Sequence, residues 1–232
     1  MIDYYFSPGP NPLKVSLFLE ECGIPYRPIS VDLLKGEHLT PSYSRLNPNN
    51  KVPAIIDDGV AVFDSNAILL YLAEKHRRFL PEEHARGSLL SWLMFVASGL
   101  GPFSGQAVHF KMYAPEPKDY PLRRYTFEAR RHYQVLEGHL ADKDWMVGDT
   151  YTIVDMATWG WIRHMDLVLG EGAKGEFPRV ARLLETISER PAAHRALALL
   201  KEHNFTMKFD QQALDTLYRH KGAVQPGQVT FK

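Results

Sequence analysis

The segment 47–68, NPNNKVPAIIDDGVAVFDSNAI, constrains the fold more than any other part of the chain. Val52 precedes Pro53 and an apolar run, so its backbone is held extended at the entry to a strand. If the bond between them is cis, the Val52 N–H and C=O turn outward and can pair with an extended ligand backbone. Asp64 and Ser65 precede a helical apolar spacing, which predicts a helix start suited to a carboxylate, with Asp64 available to an ammonium group.

Each of these features also has a simpler interpretation. A β-branched residue before proline often begins an ordinary strand, and serine is a common helix cap. Their order is more specific, because KVPAI, a hairpin at 57–59 and FDSNAILLYLAEK together resemble the glutathione site of the glutathione transferase family. The resemblance implies that Val52, before a cis Pro53, pairs with the cysteinyl backbone of glutathione. It also implies that Asp64 and Ser65 hold the γ-glutamyl end.

The balance of charge excludes some classes of partner. The 232 residues include 27 Lys+Arg and 27 Asp+Glu, so there is no basic field for nucleic acid or for an anionic membrane. No apolar run reaches the length of a membrane span, and the N-terminal MIDYYF resembles a strand and not a signal peptide. We therefore predict a cytoplasmic protein whose partner is a small molecule or another protein, with no nucleic acid and no membrane.

Cys22 is the only cysteine, which rules out a disulfide framework, a thiolate metal site and CxxC redox chemistry within one chain. It follows LFLEE near the end of the first predicted helix, where a half-buried packing role is expected. A nucleophile is expected at the other end of that helix. We predict no metal site.

The order of elements predicts an α/β domain followed by helices. Residues 2–6, 28–32, 51–56 and 60–63 have the character of strands. The apolar residues from Val15 to Leu19 predict a helix that ends near Gly23, and a second helix is predicted over 66–75. This β-α-β-(loop)-β-β-α order is the thioredoxin-like pattern, with ligand sites after the first strand and around the later proline.

From Ala85 onward the strand signals disappear and helical periodicities take over. Thr152 and Asp155 form the S/T-x-x-D pattern of a capping box, which we interpret as structural. The predicted fold is an N-terminal thioredoxin-like α/β domain plus an all-α C-terminal domain, the glutathione transferase fold. The predicted parts are a glutathione-binding domain at 1–76, a linker at 77–84, a helical domain at 85–203 and a C-terminal extension at 204–232, with a short helix near 211–218.

Stabilising a glutathione thiolate requires donors at the start of the first helix, in SPGPNPLK. Pro10 stands about where related families carry serine or cysteine, and it has neither hydroxyl nor N–H. MIDYYFSPGPN, NPNNKVPAI and GLGP resemble the nu class of bacterial glutathione transferases, similar in fold to a fungal prion-forming nitrogen regulator. In that class a Thr-Pro-Asn turn meets the sulfur, but here Gly9 replaces the threonine. Asn11 is the predicted catalytic donor, with Ser7 second, although Asn11 as a helix cap and Ser7 as a turn residue remain alternatives.

Other candidates surround this turn. His38, Asn50 and Lys51 lie on the approach to Val52, and Lys51 or His38 would pair with the glycyl carboxylate unless they are solvated loop groups. The nu-class resemblance makes Arg131 a residue that reaches the glutamyl end across a dimer interface. Gln106 is a further glutathione-binding candidate in the GLGPFSGQAVHF block, where packing alone is the alternative. The predicted pocket for a second substrate is lined by Phe103, His109, Phe110 and Trp161.

By resemblance, the chain is a homodimeric glutathione-dependent disulfide-bond reductase that binds two glutathione molecules, or one oxidised glutathione, without a catalytic cysteine. Two alternatives stay open. One is a glutathione-binding regulatory protein with little catalysis, which the absent hydroxyl at Gly9 favours. The other is a transferase that cleaves aryl ethers or other electrophiles, which an apolar second pocket would permit.

Overall fold

The computed structural model describes residues 1–114, 117–206, 208 and 210–218. Its N-terminal part is a four-stranded sheet in the order β2-β1-β3-β4. β1 pairs in parallel with β2 and antiparallel with β3, and β3 pairs antiparallel with β4. The bounds are β1 Ile2–Phe6, β2 Tyr26–Ser30, β3 Ala54–Asp57 and β4 Val60–Phe63, with helices α1 Pro10–Cys22, α2 Pro41–Leu46 and α3 Ser65–His76.

The remainder is helical, so the predicted thioredoxin-like α/β domain followed by an all-α domain is confirmed. The short helix predicted near residue 211 is also present, whereas residues 219–232 lie outside the described part of the chain. The helices are α4 Arg86–Phe95, α5 Gly101–Met112, α6 Asp119–His139, α7 Ile153–Ile162, α8 Met165–Leu169, α9 Ala173–Glu176, α10 Pro178–Ser188, α11 Pro191–Ala198 and α12 Gln211–Tyr218.

Two predicted strands have different bounds in the structure. The second spans Tyr26–Ser30, and the third begins at Ala54, three residues after the predicted start at Lys51. The third strand starts later because the Lys51 carbonyl accepts hydrogen bonds from the side chains of Tyr43 (2.8 Å) and Asn47 (2.7 Å), which lie earlier in the chain. These side chains hold the backbone before Pro53 in a loop and not in the sheet.

One hydrophobic core runs through both halves of the molecule, and α1 lies at its centre. The residues from Pro12 to Leu19 are all buried, because α1 packs against α3, α7 and α11, and the Tyr4 hydroxyl of β1 donates to the Pro12 carbonyl. A helix enclosed in this way has no polar face, so the sequence of α1 does not show the apolar stripe of an amphipathic helix. The chain leaves α3 through a loop in which the Phe79 carbonyl accepts from the Ile153 N–H at 3.0 Å. The connection between the halves is thus tied to the start of α7.

The segment Glu83–Met112, which contains α4 and α5, is long and apolar enough to span a membrane by length and composition alone. In this fold it packs in the helical domain instead, where α5 lies against α6 and α4 contacts α7. A π-helical turn, Val96–Leu100, separates the two α-helices.

The capping box predicted at the start of α7 is present. Thr152 caps the helix, and the Asp155 carboxylate accepts hydrogen bonds from the Thr152 N–H (2.8 Å) and hydroxyl (3.0 Å). Its other oxygen accepts from the Met146 N–H at 2.8 Å. Asp155 is fully buried, so it also ties the preceding loop to the helix.

Asp155→Ala should lower the free energy of unfolding by about 3 kcal/mol, because three donors lose a buried acceptor at once. Chemical denaturation monitored by circular dichroism measures the loss. Asp142→Ala is the matched control, since Asp142 is an exposed acid that contacts only the neighbouring Lys143 in the described ion pairs. Equal stability of both variants would contradict the structural role of Asp155.

Candidate functional site

Three cavities adjoin the start of α1, where the two domains face each other. The strand-side cleft, of about 230 Å³, is lined by the loop before α1 and by His38, Asn50, Lys51 and Val52. The helix-start cavity, of about 120 Å³, lies at the beginning of α3 and is lined by Lys14, Asp64, Ser65 and Asn66. The aromatic pocket, of about 220 Å³, lies beside α5, α7 and α8. Asn11 lines the first two cavities, and Trp161 lines all three.

Val52 forms one wall of the strand-side cleft. The Val52–Pro53 bond is cis. Val52 lies outside the sheet ladder, whose pairs begin at Ala54, so its N–H and C=O are not used in sheet pairing. This arrangement suits the pairing with an extended ligand that the sequence predicts. Pro53 itself is buried and lies behind the cleft wall.

Three more predicted residues line the same cleft. Asn50 has a left-handed backbone (φ 54°), and its side-chain oxygen accepts from the Ser44 hydroxyl at 2.8 Å. His38 is buried, and Lys51 is exposed. A cationic side chain beside Val52 is suited to a carboxylate at the far end of a bound peptide.

Asp64 begins the helix-start cavity as the N-cap of α3. One oxygen of its carboxylate, Oδ1, accepts from the N–H groups of Asn66 (2.9 Å) and Ala67 (3.2 Å). Its backbone lies at φ 71° and ψ 124°, a region that costs a residue with a Cβ about 1–3 kcal/mol. The cap is therefore held in a strained conformation beside the buried Ser65 hydroxyl.

Asn11 and Trp161 define the chemistry at the junction of the cavities. The Trp161 indole N–H donates to Asn11 Oδ1 at 3.1 Å, and the Ser65 hydroxyl donates to the same oxygen at 3.4 Å. An indole N–H can only donate, so the Asn11 atom that faces it must be the oxygen. The Asn11 NH₂ group is thereby directed away from Trp161, and it donates to no other group within the described residues. Trp161, predicted only as a pocket wall, also orients the predicted catalytic donor.

Glycines of the GLGPFSGQ block make room for large rings, which supports the packing interpretation of that block. A Cβ on Gly101 would lie 2.7 Å from Trp161 Nε1, and one on Gly105 would lie 3.4 Å from the same indole ring. A Cβ on Gly99 would overlap the imidazole of His132. Gly101 is therefore the glycine that allows Trp161 to approach Asn11.

Lys14 is absent from the predicted site residues, although it lines the helix-start cavity. Its side chain is 1% exposed, and its ammonium donates to Ser65 Oγ (3.3 Å) and Asn66 Oδ1 (3.1 Å). Burial lowers the pKa of Lys14 to about 7, and the Asp64 charge opposes this shift. One sequence pattern could have indicated that Lys14 is buried. Lys14 precedes Phe18 by one helical turn, on a helix face that is otherwise apolar.

Several predicted residues lie away from these cavities within one chain. Ser7 is 3% exposed at the end of β1, and Gln106 is exposed on α5; neither belongs to the cavity walls described above. Phe103 packs against His132, and Phe110 stacks on Tyr125, so both face α6. Arg131 pairs with Glu128 through its Nε (3.0 Å) and Nη2 (2.9 Å) on the same helix.

The aromatic pocket contains predicted residues together with Tyr218 from the C-terminal extension. His109 and Trp161 line it as predicted, and Tyr218 of α12 packs against His109 with ring centroids 4.5 Å apart. Leu217 lines the strand-side cleft. The extension is attached through Thr206, whose N–H (2.9 Å) and hydroxyl (2.6 Å) donate to Asp32. No sequence pattern predicts that Leu217 and Tyr218 line these cavities. They belong to a short helix far along the chain from the other site residues, and its sequence does not indicate where it packs.

The structure shows the backbone conformation of Gly9 and the burial of Cys22. Gly9 has φ 155° and ψ 166°, a combination open essentially to glycine alone, so a threonine at this position would be strained. Cys22 is partly buried against the core, and burial raises its thiol pKa to about 11. Its predicted packing role is confirmed. Within the described ranges, no group of three or more His, Cys, Asp or Glu side chains is arranged to hold a metal ion.

Lys14→Met should remove a pH dependence of stability. The unfolded chain keeps the Lys14 proton up to a pKa near 10.5, whereas the folded protein releases it near 7. Between these values the unfolded state binds more protons, so the free energy of unfolding rises with pH, by up to about 1.4 kcal/mol per pH unit. Urea titrations of both proteins from pH 6 to 10 measure the difference. Parallel curves would show that Lys14 titrates as an ordinary exposed lysine.

Comparison with known proteins agrees with this geometry. Two family models match, namely the glutathione S-transferase N-terminal domain over residues 8–75 and the glutathione S-transferase C-terminal domain over residues 104–191. The disulfide-bond oxidoreductase YfcG of Escherichia coli (strain K12) is 43% identical over 210 residues, which cover 85% of this chain and 94% of that protein.

Solved structures give the same result. A glutathione transferase from Burkholderia graminis, with two glutathione molecules per subunit, is 41% identical with a TM-score of 0.80, and the match covers 87% of this chain and 89% of that one. A glutathione transferase from Pseudomonas putida, with one glutathione disulfide per subunit, is 37% identical with a TM-score of 0.78 and coverage of 84% and 90%. The chain therefore belongs to the glutathione S-transferase family.

Proposed function

We propose that this protein is a glutathione-dependent disulfide-bond reductase that uses glutathione as the thiol and needs no cysteine of its own. The observation that carries the proposal is the orientation of Asn11, whose oxygen is occupied by Trp161 and Ser65 while its NH₂ remains available at the junction of the cavities. The similarity to YfcG and to transferases that hold glutathione or its disulfide supports the same activity.

The Asn11 side chain is important for stabilising a thiolate because the start of α1 has few other hydrogen-bond donors. Pro10 and Pro12 carry no backbone N–H, so the first turn lacks two of the groups that usually stabilise an anion there. A glutathione thiol has a free pKa near 8.5, and only a few per cent is ionised at neutral pH. A hydrogen bond from the Asn11 NH₂ would favour the thiolate and lower that pKa.

The reaction consists of two thiol–disulfide exchanges. The first glutathione thiolate attacks one sulfur of the substrate disulfide, which forms a mixed disulfide and releases one substrate thiolate. A second glutathione thiolate attacks the glutathione sulfur of that mixed disulfide, which gives oxidised glutathione and the second substrate thiolate. Both leaving thiolates take the protons that the two glutathione molecules released. The protein contributes alignment of the sulfur atoms and stabilisation of the thiolates.

The aromatic pocket favours a second candidate activity. Its walls include His109, Tyr113, Trp161 and Tyr218, and little of its lining is polar. Such a pocket suits an apolar electrophile such as an aryl ether. A glutathione thiolate would attack a carbon of the ether, form a C–S bond and release the oxygen side as an aryloxide. A regulatory protein that binds glutathione with little catalysis is the third candidate, and the absent hydroxyl at Gly9 supports it.

We also propose a cytoplasmic homodimer with a linker near residues 77–84. A chain with one cysteine suits a reducing compartment. Phe127, Arg131 and Val135 lie at four-residue intervals on one exposed face of α6, and Phe127 is 60% exposed. An apolar face of this kind suits an interface, from which Arg131 would reach the partner's glutathione. A single-chain sedimentation mass at micromolar concentration would contradict the dimer.

Asn11→Ala should reduce the turnover of hydroxyethyl disulfide by glutathione about 100-fold, while glutathione affinity falls much less, because the lost donor acts mainly on the thiolate. Trp161→Phe should lower turnover in the same direction, since it keeps the ring but releases the Asn11 oxygen. Steady-state kinetics and calorimetric titration with glutathione measure the two effects.

Trp92→Phe is the matched control, because Trp92 packs on Phe95 and His139 away from the three cavities. Calorimetric binding of glutathione without turnover above the uncatalysed rate would favour the regulatory protein or a different electrophile. Loss of all turnover in Cys22→Ala would contradict the cysteine-free mechanism.

A further inference from the structure

Lys14 is a buried cation that the thiolate chemistry proposed above does not use. It lies under the start of α3, and its ammonium is bound only to the neutral acceptors Ser65 Oγ and Asn66 Oδ1 among the described hydrogen bonds. No described ion pair within 4.0 Å includes it, and Asp64 is the charged group that acts on it at longer range. A buried ammonium without a directly paired anion is costly, so a nearby anion would stabilise it.

The helix-start cavity holds the opposite charge at its rim. Asp64 places a carboxylate at the N-terminus of α3, and its Oδ1 occupies the N–H groups of Asn66 and Ala67. Fewer backbone N–H groups of α3 therefore remain free for a ligand than at a helix start without a capping side chain. The negative charge of the Asp64 carboxylate also lies beside them. Without a compensating cation, the cavity would repel a ligand carboxylate.

Lys14 and Asp64 together provide two opposite charges on either side of Ser65. The head of an α-amino acid is a zwitterion with matching charges, an ammonium and a carboxylate on one carbon. Asp64 is exposed at the mouth and suits the ammonium, whereas the Lys14 ammonium lies at the base, one hydrogen bond behind the Ser65 hydroxyl. Both residues line the same cavity of about 120 Å³.

We propose that Lys14 is the positioning residue that makes this cavity selective for the α-carboxylate of the γ-glutamyl group. It does so by supplying the balancing positive charge and by holding Ser65 and Asn66 in place, while Asp64 selects the α-ammonium. The proposal rests on glutathione as the ligand of the site. It assigns the two charges of the glutamyl head to separate residues from different helices.

Calorimetric titration with three ligands tests this assignment. They are glutathione, 4-aminobutyryl-cysteinyl-glycine, which lacks the α-carboxylate, and glutaryl-cysteinyl-glycine, which lacks the α-ammonium. The unmodified protein should bind glutathione at least about tenfold more tightly than either analogue. Lys14→Met should lose the preference for the α-carboxylate but keep the preference for the α-ammonium, and its affinity for 4-aminobutyryl-cysteinyl-glycine should change little.

Two further variants separate charge from packing. Lys14→Gln keeps a hydrogen-bond donor without the charge, so it should behave like Lys14→Met. Lys201→Met removes an exposed lysine outside the three cavities and should leave all three affinities unchanged. Thermal melting checks that each variant is folded, and Lys14→Met should melt no lower than the unmodified protein at pH 6.5, because an apolar side chain avoids the cost of the buried ammonium.

An unchanged carboxylate preference in folded Lys14→Met would overturn the proposal and leave the reductase function intact. Equal loss of affinity for all three ligands, together with a lower melting temperature, would reduce Lys14 to a structural support and also overturn it. If the unmodified protein bound none of the three ligands, the proposed function would fail together with this inference.

Discussion

The close approach of α1 and α7 at Gly160 is the contact on which the site depends. A Cβ at this position would lie 2.6 Å from the Pro10 carbonyl oxygen and 2.7 Å from Lys14 Cγ, so only glycine permits the approach. The next residue, Trp161, is thereby brought to Asn11. One packing contact between the domains thus seats the buried lysine and orients the Asn11 amide.

Electrostatics explains how such a site works without a protein thiol. Burial raises the pKa of the Cys22 thiol to about 11, which fits the proposal that the reactive sulfur comes from glutathione. The first turn of α1 is poor in backbone N–H groups, and Gly9 brings no hydroxyl. In the mechanism proposed here, stabilisation of the thiolate would fall mainly on Asn11, whose oxygen is fixed by two neutral donors. Lys14 of α1 and Asp64 at the start of α3 both line the helix-start cavity, where their charges suit the head of the proposed ligand and not its sulfur.

Features that depend on neighbouring residues were predictable from the sequence. The Val52–Pro53 step, the helix start at Asp64 and the capping box at Thr152 each follow from local geometry. The start of the third strand was predicted too early because Tyr43 and Asn47 hold the Lys51 carbonyl from a distance. The contact between Asn11 and Trp161 joins two domains, and no local pattern encodes it. Lys14 was missed for a related reason, since a lysine beside an apolar stripe usually reaches solvent, and its burial follows only from the approach at Gly160.

The pKa of the glutathione thiol in the complex tests the central claim most directly. Ultraviolet difference titration of the bound thiolate, with the protein in excess over glutathione, measures it without any second substrate. We predict a bound pKa at least about one unit below the free value near 8.5, because the Asn11 amide would donate to the anion. A bound thiol that titrates at or above the free value would contradict thiolate stabilisation by this site.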